Sequence, residues 1–303
     1  MITRTLGGLL YRRPVLNLLL LLLPPLLWFG TVYLGSLIAL LMQSFYAIDE
    51  FTATIVRKPT LATYAQLFSQ PANLDIVRRT LFMAIAVTIA CAIIAWPIAY
   101  YMARHARGRV KALFYVAVML PMWTSYLVKV YAWRLILAKQ GILFWIFDHL
   151  GLAGALDTLL ESPGIGGPSL SSSYLGMFIV FVYMWLPFMI LPLAAALERV
   201  PTSLIQAAAD LGATPAQTLR QVVMPLALPG LAAGSVFTFS LTLGDYIIPQ
   251  LIGPSGLFIG TMVYTQQGTI GDMPLAAAFT LVPVVLICIY LAIAKRLGAF
   301  DAL

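Results

Sequence analysis

The sequence predicts an all-α integral membrane protein with six transmembrane helices and with both termini in the cytoplasm. Of its 303 residues, 61% are hydrophobic and only 10% are charged, and its mean hydropathy is +0.95. About a quarter of the residues in a soluble domain are charged, so this composition excludes an ordinary soluble fold. We therefore expect one transmembrane domain over residues 1–303, embedded in a lipid bilayer.

Six apolar stretches are long enough to be membrane spans, since about 20 apolar residues in a helix cross roughly 30 Å of hydrocarbon. They cover residues 15–43, 80–103, 111–131, 174–197, 228–252 and 274–294. The first stretch exceeds the roughly 7 to 15 apolar residues of a secretory signal, so it is expected to remain as the first helix. The predicted core bundle covers about 80–296, and the first helix with an outer segment covers 15–79.

The distribution of positive charge predicts the orientation of these spans. With a cytoplasmic N-terminus, eleven Lys and Arg residues lie in the inner segments and five in the outer segments. Positive residues accumulate in the cytoplasmic loops of membrane proteins. The net charge of +7 is therefore interpreted as a topology signal, and no nucleic-acid partner is expected.

The residues that could support catalysis or bind a cofactor are not arranged for either role. Cys91 and Cys288 lie inside different predicted spans, and neither has a neighbouring Cys or His at the spacing of metal ligands. The sequence contains no Gly-rich phosphate loop followed by Lys-Ser or Lys-Thr. We predict no catalytic residue, no metal and no cofactor in this chain, so any energy must come from another protein.

The polar loop over residues 199–227, between the fourth and fifth predicted spans, predicts a docking site for another protein. Its segment 206–212 reads Gln-Ala-Ala-Ala-Asp-Leu-Gly. Alanines favour a helix without adding bulk, and Gly212 follows them where a helix end commonly takes a positive φ. Thr214 and Pro215 would then start a second short helix. The alternative, an amphipathic helix on lipid headgroups, would be richer in Lys and Arg.

This loop resembles the coupling loop of binding-protein-dependent ABC importer permeases of the type I fold. In that family Glu-Ala-Ala, three residues, Gly and a later Leu-Pro form the seat on the ATPase. Here Gln206 replaces the Glu and Met224 replaces the Leu, while the spacing is kept. By this resemblance, the residues that contact an ABC ATPase are Gln206, Ala207, Ala208, Asp210, Gly212 and Pro225.

Segments 121–126, 183–189 and 243–249 resemble the spermidine and putrescine permease subfamily, and the resemblance extends over about residues 80–290. It implies that this chain is a permease subunit in the inner membrane of a bacterium. The implied partners are a second permease that completes a heterodimeric pore, a dimer of ABC ATPases that binds ATP and Mg, and a periplasmic substrate-binding protein. The implied substrate is a polyamine such as putrescine or spermidine, transported by alternating access.

The fifth predicted span carries a polar stripe that suggests a substrate path. Ser235, Thr238, Thr242 and Asp245 are separated by three, four and three residues, which would put them on one face of a helix. At about 1.5 Å per residue from Pro229, Asp245 would lie roughly 24 Å along the helix, in its outer half. Ionisable residues inside a span are functional candidates. A carboxylate at this depth suits a cationic substrate.

Aromatic residues extend this predicted path. Trp123 and Tyr246 can present π faces to ammonium groups, each contributing roughly 0.5 to 2 kcal/mol when desolvated. Trp185, about twelve residues into the fourth span, is too deep for an interfacial aromatic belt, which leaves the core or the path. The predicted path residues are Ser235, Thr238, Thr242, Asp245, Tyr246, Trp123, Tyr126 and Trp185.

Other interpretations of these residues remain open at this stage. Asp245 could form a fixed ion pair with Lys129 or Arg134, and the hydroxyl residues could serve only helix packing. The solute could be an amino-acid derivative, an opine or a phosphonate, and an anion would require Lys129 and Arg134 to line the path. A secondary transporter or channel is a remote alternative, since no inverted repeat or pair of broken helices is visible.

Overall fold

The computed structural model of the protein describes residues 14–49, 52, 54–162, 164–254 and 256–296. Both termini lie outside these ranges. Their predicted location in the cytoplasm therefore stays a prediction. Within the described ranges the chain is mostly helical. Five helical segments there are long and apolar enough to cross a membrane, and a bent pair of helices supplies a sixth span. The predicted class, a helical membrane protein with six spans, is confirmed in this form.

The first span covers Leu18–Gln43. It consists of helix α1 (Pro14–Trp28), a π-helical turn (Phe29–Leu34) and helix α2 (Gly35–Gln43). Its most apolar stretch buries no residue inside the chain. This span is therefore open to contact with lipid or with another subunit, since apolar side chains cost no desolvation energy in hydrocarbon.

A small structured segment connects the first two spans. Strand β1 (Ala47–Ile48) pairs antiparallel with strand β2 (Ile55–Val56), and helix α3 (Ala62–Ser69) follows. The hydroxyls of Ser44 and Tyr64 share a hydrogen bond of 2.6 Å. This bond fixes α3 against the end of the first span.

Helix α4 (Pro71–Arg104) is the second span and begins nine residues before the predicted start of that span. Pro71 suits the first turn of a helix, because its φ is already helical and its missing N–H would have no partner there. In the next turns Asp75 pairs with Arg78 at 2.8 Å and with Arg79. These charges lie three and four residues apart, which is the spacing of side chains that meet on a helix surface.

The third span is broken, so the prediction of one continuous helix over residues 111–131 is wrong. Helix α5 (Gly108–Trp123) and helix α6 (Tyr126–Ile136) meet at an angle of 94°. In a continuous helix the Pro121 carbonyl would accept the N–H four residues later. Instead it accepts hydrogen bonds from the Thr124 hydroxyl at 2.9 Å and the Lys129 ammonium at 2.6 Å. Such side-chain competition for a backbone group favours a helix end.

Helices α7 (Ile142–His149) and α8 (Ala153–Glu161) follow the third span and lead to helix α9 (Tyr174–Arg199), the fourth span. The Ser173 hydroxyl caps the start of α9 by accepting a hydrogen bond from the Gly176 N–H at 3.0 Å. Serine is a favoured residue at this position, because it satisfies a free N–H of the first helical turn.

The fifth span is also broken near its predicted outer end. Two short helices, α10 (Thr202–Asp210) and α11 (Pro215–Thr218), form the loop after α9. A π-helical turn (Leu219–Val223) then leads into helix α12 (Met224–Gly244), and after Asp245 and Tyr246 the chain forms helix α13 (Ile247–Leu251). The prediction of one helix over 228–252 is therefore wrong.

The remaining span follows another helical turn. Helix α14 (Ile259–Thr265) and a π-helical turn (Gln266–Ile270) precede helix α15 (Met273–Arg296), which is the sixth span. Between them Gly271 has a φ of +85°, and the Asp272 carboxylate accepts a hydrogen bond from the Leu275 N–H at 2.9 Å. The glycine allows the reversal of direction, and the aspartate caps the new helix.

The centre of the bundle is α9, which packs against α4 and α12. Phe181, Met189 and Leu193 of α9 are completely buried there. On α12, Gly230 faces the Pro192 carbonyl and Ala196, and Gly234 faces Met189. Two glycines four residues apart let helix backbones approach closely in a membrane, where van der Waals packing drives association.

Replacing Gly230 with Ala is expected to loosen this contact. The added Cβ would lie 2.6 Å from the Pro192 carbonyl oxygen, so α9 and α12 must separate. Overpacking of this kind costs about 1 to 3 kcal/mol, and we expect a lower melting temperature of the purified protein. Gly244→Ala is the matched control, because its Cβ would meet nothing within 4 Å. Equal melting temperatures for the two variants would contradict the prediction.

Candidate functional site

The first short helix of the loop, α10, ends as its residue order predicts. Gly212 has a φ of +81°, which confirms the predicted positive value. The N–H of Gly212 donates to the Ala209 carbonyl at 2.9 Å, and the N–H of Ala213 donates to the Ala208 carbonyl at 2.9 Å. These two bonds form a Schellman motif, which satisfies the last carbonyls of the helix. The turn after α10 is therefore defined by the glycine backbone.

The second short helix, α11, begins at Thr214 and Pro215, as predicted. The Thr214 hydroxyl accepts from the Gln217 N–H at 3.4 Å, and the Gln217 side-chain oxygen accepts from the Thr214 N–H at 2.8 Å. This reciprocal pair is a capping box. Two short helices with stable ends therefore form a compact projection from the bundle.

Most residues predicted to contact an ATPase lie on the surface of this projection. Ala208 is half-buried, whereas the exposed members are Gln206, Ala207, Asp210 and Gly212. Pro225 is also exposed but lies in the first turn of α12. Ile205 packs against the main hydrophobic core and holds α10 on the bundle. Leu211, which the sequence analysis did not select, is 89% exposed at the tip.

The breaks in the third and fifth spans meet at a second cluster of predicted residues. The hydroxyl of Tyr126, the first residue of α6, donates a hydrogen bond to Asp245, which precedes α13. The Tyr126 ring stacks on Trp185 of α9, with a centroid distance of 6.0 Å. The expectation that the chain has no pair of broken helices is therefore wrong. Broken helices expose backbone groups near polar sites inside membranes.

Hydrogen bonds hold the Asp245 carboxylate in this cluster. One oxygen accepts from the N–H groups of Ile247 at 2.8 Å and Ile248 at 3.0 Å, and the other accepts from Tyr126. Asp245, one residue before the N-cap Tyr246, thus satisfies the first two N–H groups of α13. In the part of the chain that the structure describes, neither Lys129 nor Arg134 forms an ion pair with Asp245. A fixed ion pair therefore does not explain its position.

The three hydroxyl residues predicted to share a face with Asp245 lie on α12, which Asp245 directly follows. The hydroxyls of Ser235, Thr238 and Thr242 are buried, and each donates to a backbone carbonyl of α12. The Tyr290 hydroxyl of α15 donates to Ser235 at 2.6 Å. In this chain these residues occupy helix-packing positions, as the alternative interpretation proposed. Asp245 directly follows the last residue of α12, so the face that it would share with these hydroxyls stays a prediction.

An exposed aromatic residue of α12 contacts the aromatic rings of α9. Phe237 is 52% exposed, and its ring lies 6.5 Å from that of Phe188 on α9. Phe188 in turn lies 5.9 Å from Trp185. The aromatic rings of Tyr126, Trp185, Phe188 and Phe237 therefore form a continuous row. Sequence analysis missed Phe188 and Phe237, because an apolar residue in an apolar span does not differ from its neighbours in hydropathy.

Below this aromatic row lies a cleft of about 310 Å³ between α9 and α12. Its walls include Pro192, Ala196 and Arg199 of α9 and Leu226 and Ala233 of α12. The cleft extends towards the projection formed by α10 and α11. Phe188 and Phe237 lie one turn from Pro192 and Ala233 of the cleft, on the same helix faces, so the row and the cleft together are called the groove between α9 and α12.

The other aromatic residues of the predicted path lie near the helix breaks. Trp123 ends α5 and is 71% exposed, and Tyr246 stacks on Tyr264 of α14 at a centroid distance of 5.1 Å. The Trp185 ring N–H is buried and has no hydrogen-bond partner among the described residues. A carboxylate among aromatic faces can attract a cation, because the faces carry partial negative charge.

Comparison with known proteins gives consistent matches along the chain. The family described as "Binding-protein-dependent transport system inner membrane component" matches residues 95–299. The inner membrane ABC transporter permease protein YdcU of Escherichia coli (strain K12) is 63% identical over 297 residues, which cover 98% of this chain and 95% of YdcU. The spermidine/putrescine transport system permease protein PotB of the same strain is 27% identical over 257 residues, which cover 84% of each chain.

A solved structure has a similar fold. It is a bacterial alginate ABC transporter in complex with an alginate pentasaccharide-bound periplasmic protein. The TM-score is 0.71 at 17% identity, and the match covers 95% of this chain and 96% of the other. At this identity the similarity concerns the fold alone.

Proposed function

This chain belongs to the family of inner membrane components of binding-protein-dependent transport systems, and from that premise we propose that it imports polyamines such as putrescine and spermidine. As a family member it is an ABC importer permease subunit. The proposal adds the substrate, the partners and the residues that contact them.

The observation that carries the polyamine proposal is the position of Asp245 at the meeting point of two broken spans. Its carboxylate accepts a hydrogen bond from the Tyr126 hydroxyl, and the Tyr126 ring stacks on Trp185. Desolvated ammonium groups are stabilised by a carboxylate and by aromatic faces, and each aromatic face contributes roughly 0.5 to 2 kcal/mol. A substrate with several ammonium groups would use both kinds of contact. The relative named for spermidine and putrescine transport supports the same class.

The groove between α9 and α12 is the proposed route through this subunit. From Asp245 it passes Phe188 and Phe237 and reaches the cleft beside Arg199. Only one wall of such a route belongs to this chain, since the exposed ring of Phe237 faces outward. A second permease subunit would supply the other wall and complete a heterodimeric pore.

The projection formed by α10 and α11 is the proposed contact with an ABC ATPase dimer, which would bind ATP and Mg. The residues proposed for this contact are those predicted from the sequence, together with Leu211. With both termini and this projection in the cytoplasm, the broken spans lie towards the periplasm, where a substrate-binding protein would deliver the polyamine. The bacterial inner membrane is the corresponding location.

Alternating access requires that the inward-open and outward-open states of the transporter bind its ligands and partners with different affinities. A ligand changes a conformational equilibrium only through a difference in its affinity for the two states. ATP would favour the state in which the ATPase dimer is closed around α10, and its hydrolysis would favour the other state. The polyamine is released inward when the groove opens on the side of the projection.

The purified chain alone is expected to hydrolyse no ATP. Together with its sister permease, its ATPase and its binding protein in liposomes, it should accumulate radiolabelled putrescine only when ATP is present. ATP hydrolysis by the chain in a preparation free of the ATPase would contradict the proposed division of roles.

The substrate is tested by isothermal titration of the binding protein with putrescine, spermidine, amino acids and phosphonates. We expect binding of the first two compounds only. Exclusive binding of a phosphonate or an amino acid would reject the polyamine proposal, while leaving the permease function intact.

A further inference from the structure

The corner between the fourth span and the coupling loop is short and stiff. Only Val200 and Pro201 separate α9 from α10. Both residues are extended, with ψ angles of 117° and 133°. The ring of Pro201 restricts its φ, and Val200 is 4% exposed. A displacement of α10 should therefore also displace the end of α9, because the two connecting residues can absorb little of it by bending.

Three side chains from neighbouring helices hold this corner. Arg104, the last residue of α4, donates to the Val200 carbonyl at 2.8 Å. Glu198, in the last turn of α9, accepts from the Lys111 ammonium at 2.7 Å and from the Tyr115 hydroxyl at 2.8 Å. Lys111 and Tyr115 lie four residues apart on α5, so they reach one carboxylate from the same helix face.

Helix α5 connects this corner with the helix breaks. Its 16 residues span about 24 Å at 1.5 Å per residue. At its far end, Thr124 and Ser125 lead directly to Tyr126, whose hydroxyl bonds to Asp245. One continuous helix therefore runs from the base of the coupling loop to the proposed polyamine contact.

We infer that Lys111, Tyr115 and Glu198 are positioning residues that transmit the movement of the coupling loop through α5 to Tyr126. This inference rests on the proposed function of the loop. Their contact makes the corner and α5 move as one body. Asp245 and the ATPase contact are then connected through α5 as well as through α12.

The contact between Lys111 and Glu198 is better suited to transmitting a movement than to stabilising the fold. The side chains of Lys111 and Glu198 are 36% and 32% exposed, and ion pairs exposed to this degree contribute little to folding. Variants at these positions should therefore fold and assemble. A change in their behaviour would then reflect the connection between loop and helix.

A distance measurement tests this inference without any substrate. After Cys91→Ala and Cys288→Ala, spin labels are placed at Leu204 on α10 and at Leu120 on α5, which are 44% and 55% exposed. In the assembled transporter we expect one narrow distance distribution that is unchanged between the nucleotide-free and ATP-bound states. Glu198→Gln with Lys111→Met should broaden or shift it. A wild-type distance that changes with nucleotide, or a variant identical to the wild type, would overturn the inference.

The ratio of putrescine imported to ATP hydrolysed gives a second readout. In Glu198→Gln we expect this ratio to fall about fivefold or more, within the usual range of coupling between sites, while ATP hydrolysis continues. The charge swap Lys111→Glu with Glu198→Lys should restore most of the ratio. Arg109→Gln is the control, since it removes a charge from the same end of α5 and Arg109 has no ion pair among the described residues.

The two tests separate the inference from the proposed function. If the wild-type transporter does not import putrescine, the polyamine proposal fails, while the spin-label distances still decide the role of α5. If putrescine is imported but Glu198→Gln keeps the wild-type ratio, the role of these positioning residues is rejected.

Discussion

Gly212→Val is expected to abolish uptake while the membrane spans remain folded. Gly212 has a φ of +81°, a conformation that costs a residue with a side chain roughly 1 to 2 kcal/mol and is least accessible to β-branched residues. A Cβ at this position would meet no atom within 4 Å, so the cost arises from the backbone alone. The Schellman motif should open, and Leu211 would lose its position at the tip. Uptake and binding of the ATPase are the measurements.

Two variants control for this backbone effect. Gly212→Asn adds a side chain of similar size, but asparagine adopts a positive φ more readily, so most of the uptake should remain. Gln206→Glu, which places the usual family residue on α10, should also be tolerated. If Gly212→Val imports like the wild type, the geometry of this turn does not matter for coupling. If Gly212→Asn is as inactive as Gly212→Val, the loss is due to bulk at the docking surface.

Asp245→Asn is expected to reduce polyamine uptake by tenfold or more, which corresponds to about 1.4 kcal/mol. The side-chain oxygen of asparagine can still accept hydrogen bonds from the N–H groups of Ile247 and Ile248. The break and α13 should therefore persist, while the negative charge that attracts an ammonium group is lost. Uptake by the reconstituted transporter and recovery of the intact complex are measured on the same preparations.

Neighbouring variants identify the cause of this loss. Tyr126→Phe removes the hydrogen bond to Asp245 but keeps the aromatic face and the carboxylate, so its uptake should fall less. Adding Lys129→Met to Asp245→Asn should not restore uptake, because the Lys129 ammonium bonds to the Pro121 carbonyl. Restoration would instead reveal a charge pair that forms during transport. Normal uptake by Asp245→Asn would remove this residue from the proposed path.

The fate of the predicted polar stripe illustrates the limit of periodicity. Spacing along a helix correctly relates Ser235, Thr238 and Thr242 to one another, since all three are buried on α12. It does not say which neighbour covers their face, and here Tyr290 of α15 contacts Ser235. Asp245 fits the same spacing but lies beyond the helix end. The exposed Phe237, which lies on a different face, became a candidate only when its surroundings were known.

The sequence by itself determined the features that depend on composition and on residues close together in the chain. These are the membrane class, the six apolar segments, the two short helices of the loop over residues 199–227 and the positive φ of Gly212. The local sequence is sufficient to predict these features, because hydropathy, helix caps and glycine conformation act within a few residues. The family resemblance of this loop also depends on its local sequence.

Only the tertiary structure decided where the third and fifth spans break and that the two breaks meet. A side chain that donates a hydrogen bond to a backbone carbonyl competes with the N–H that would continue the helix. The free-energy difference between a continued and an ended helix is small, so contacts with distant residues determine which one forms. The meeting of Tyr126 with Asp245, 119 residues apart, depends on the packing of α6 against α13. No spacing in the sequence encodes such a contact, because it forms between elements positioned by the whole bundle.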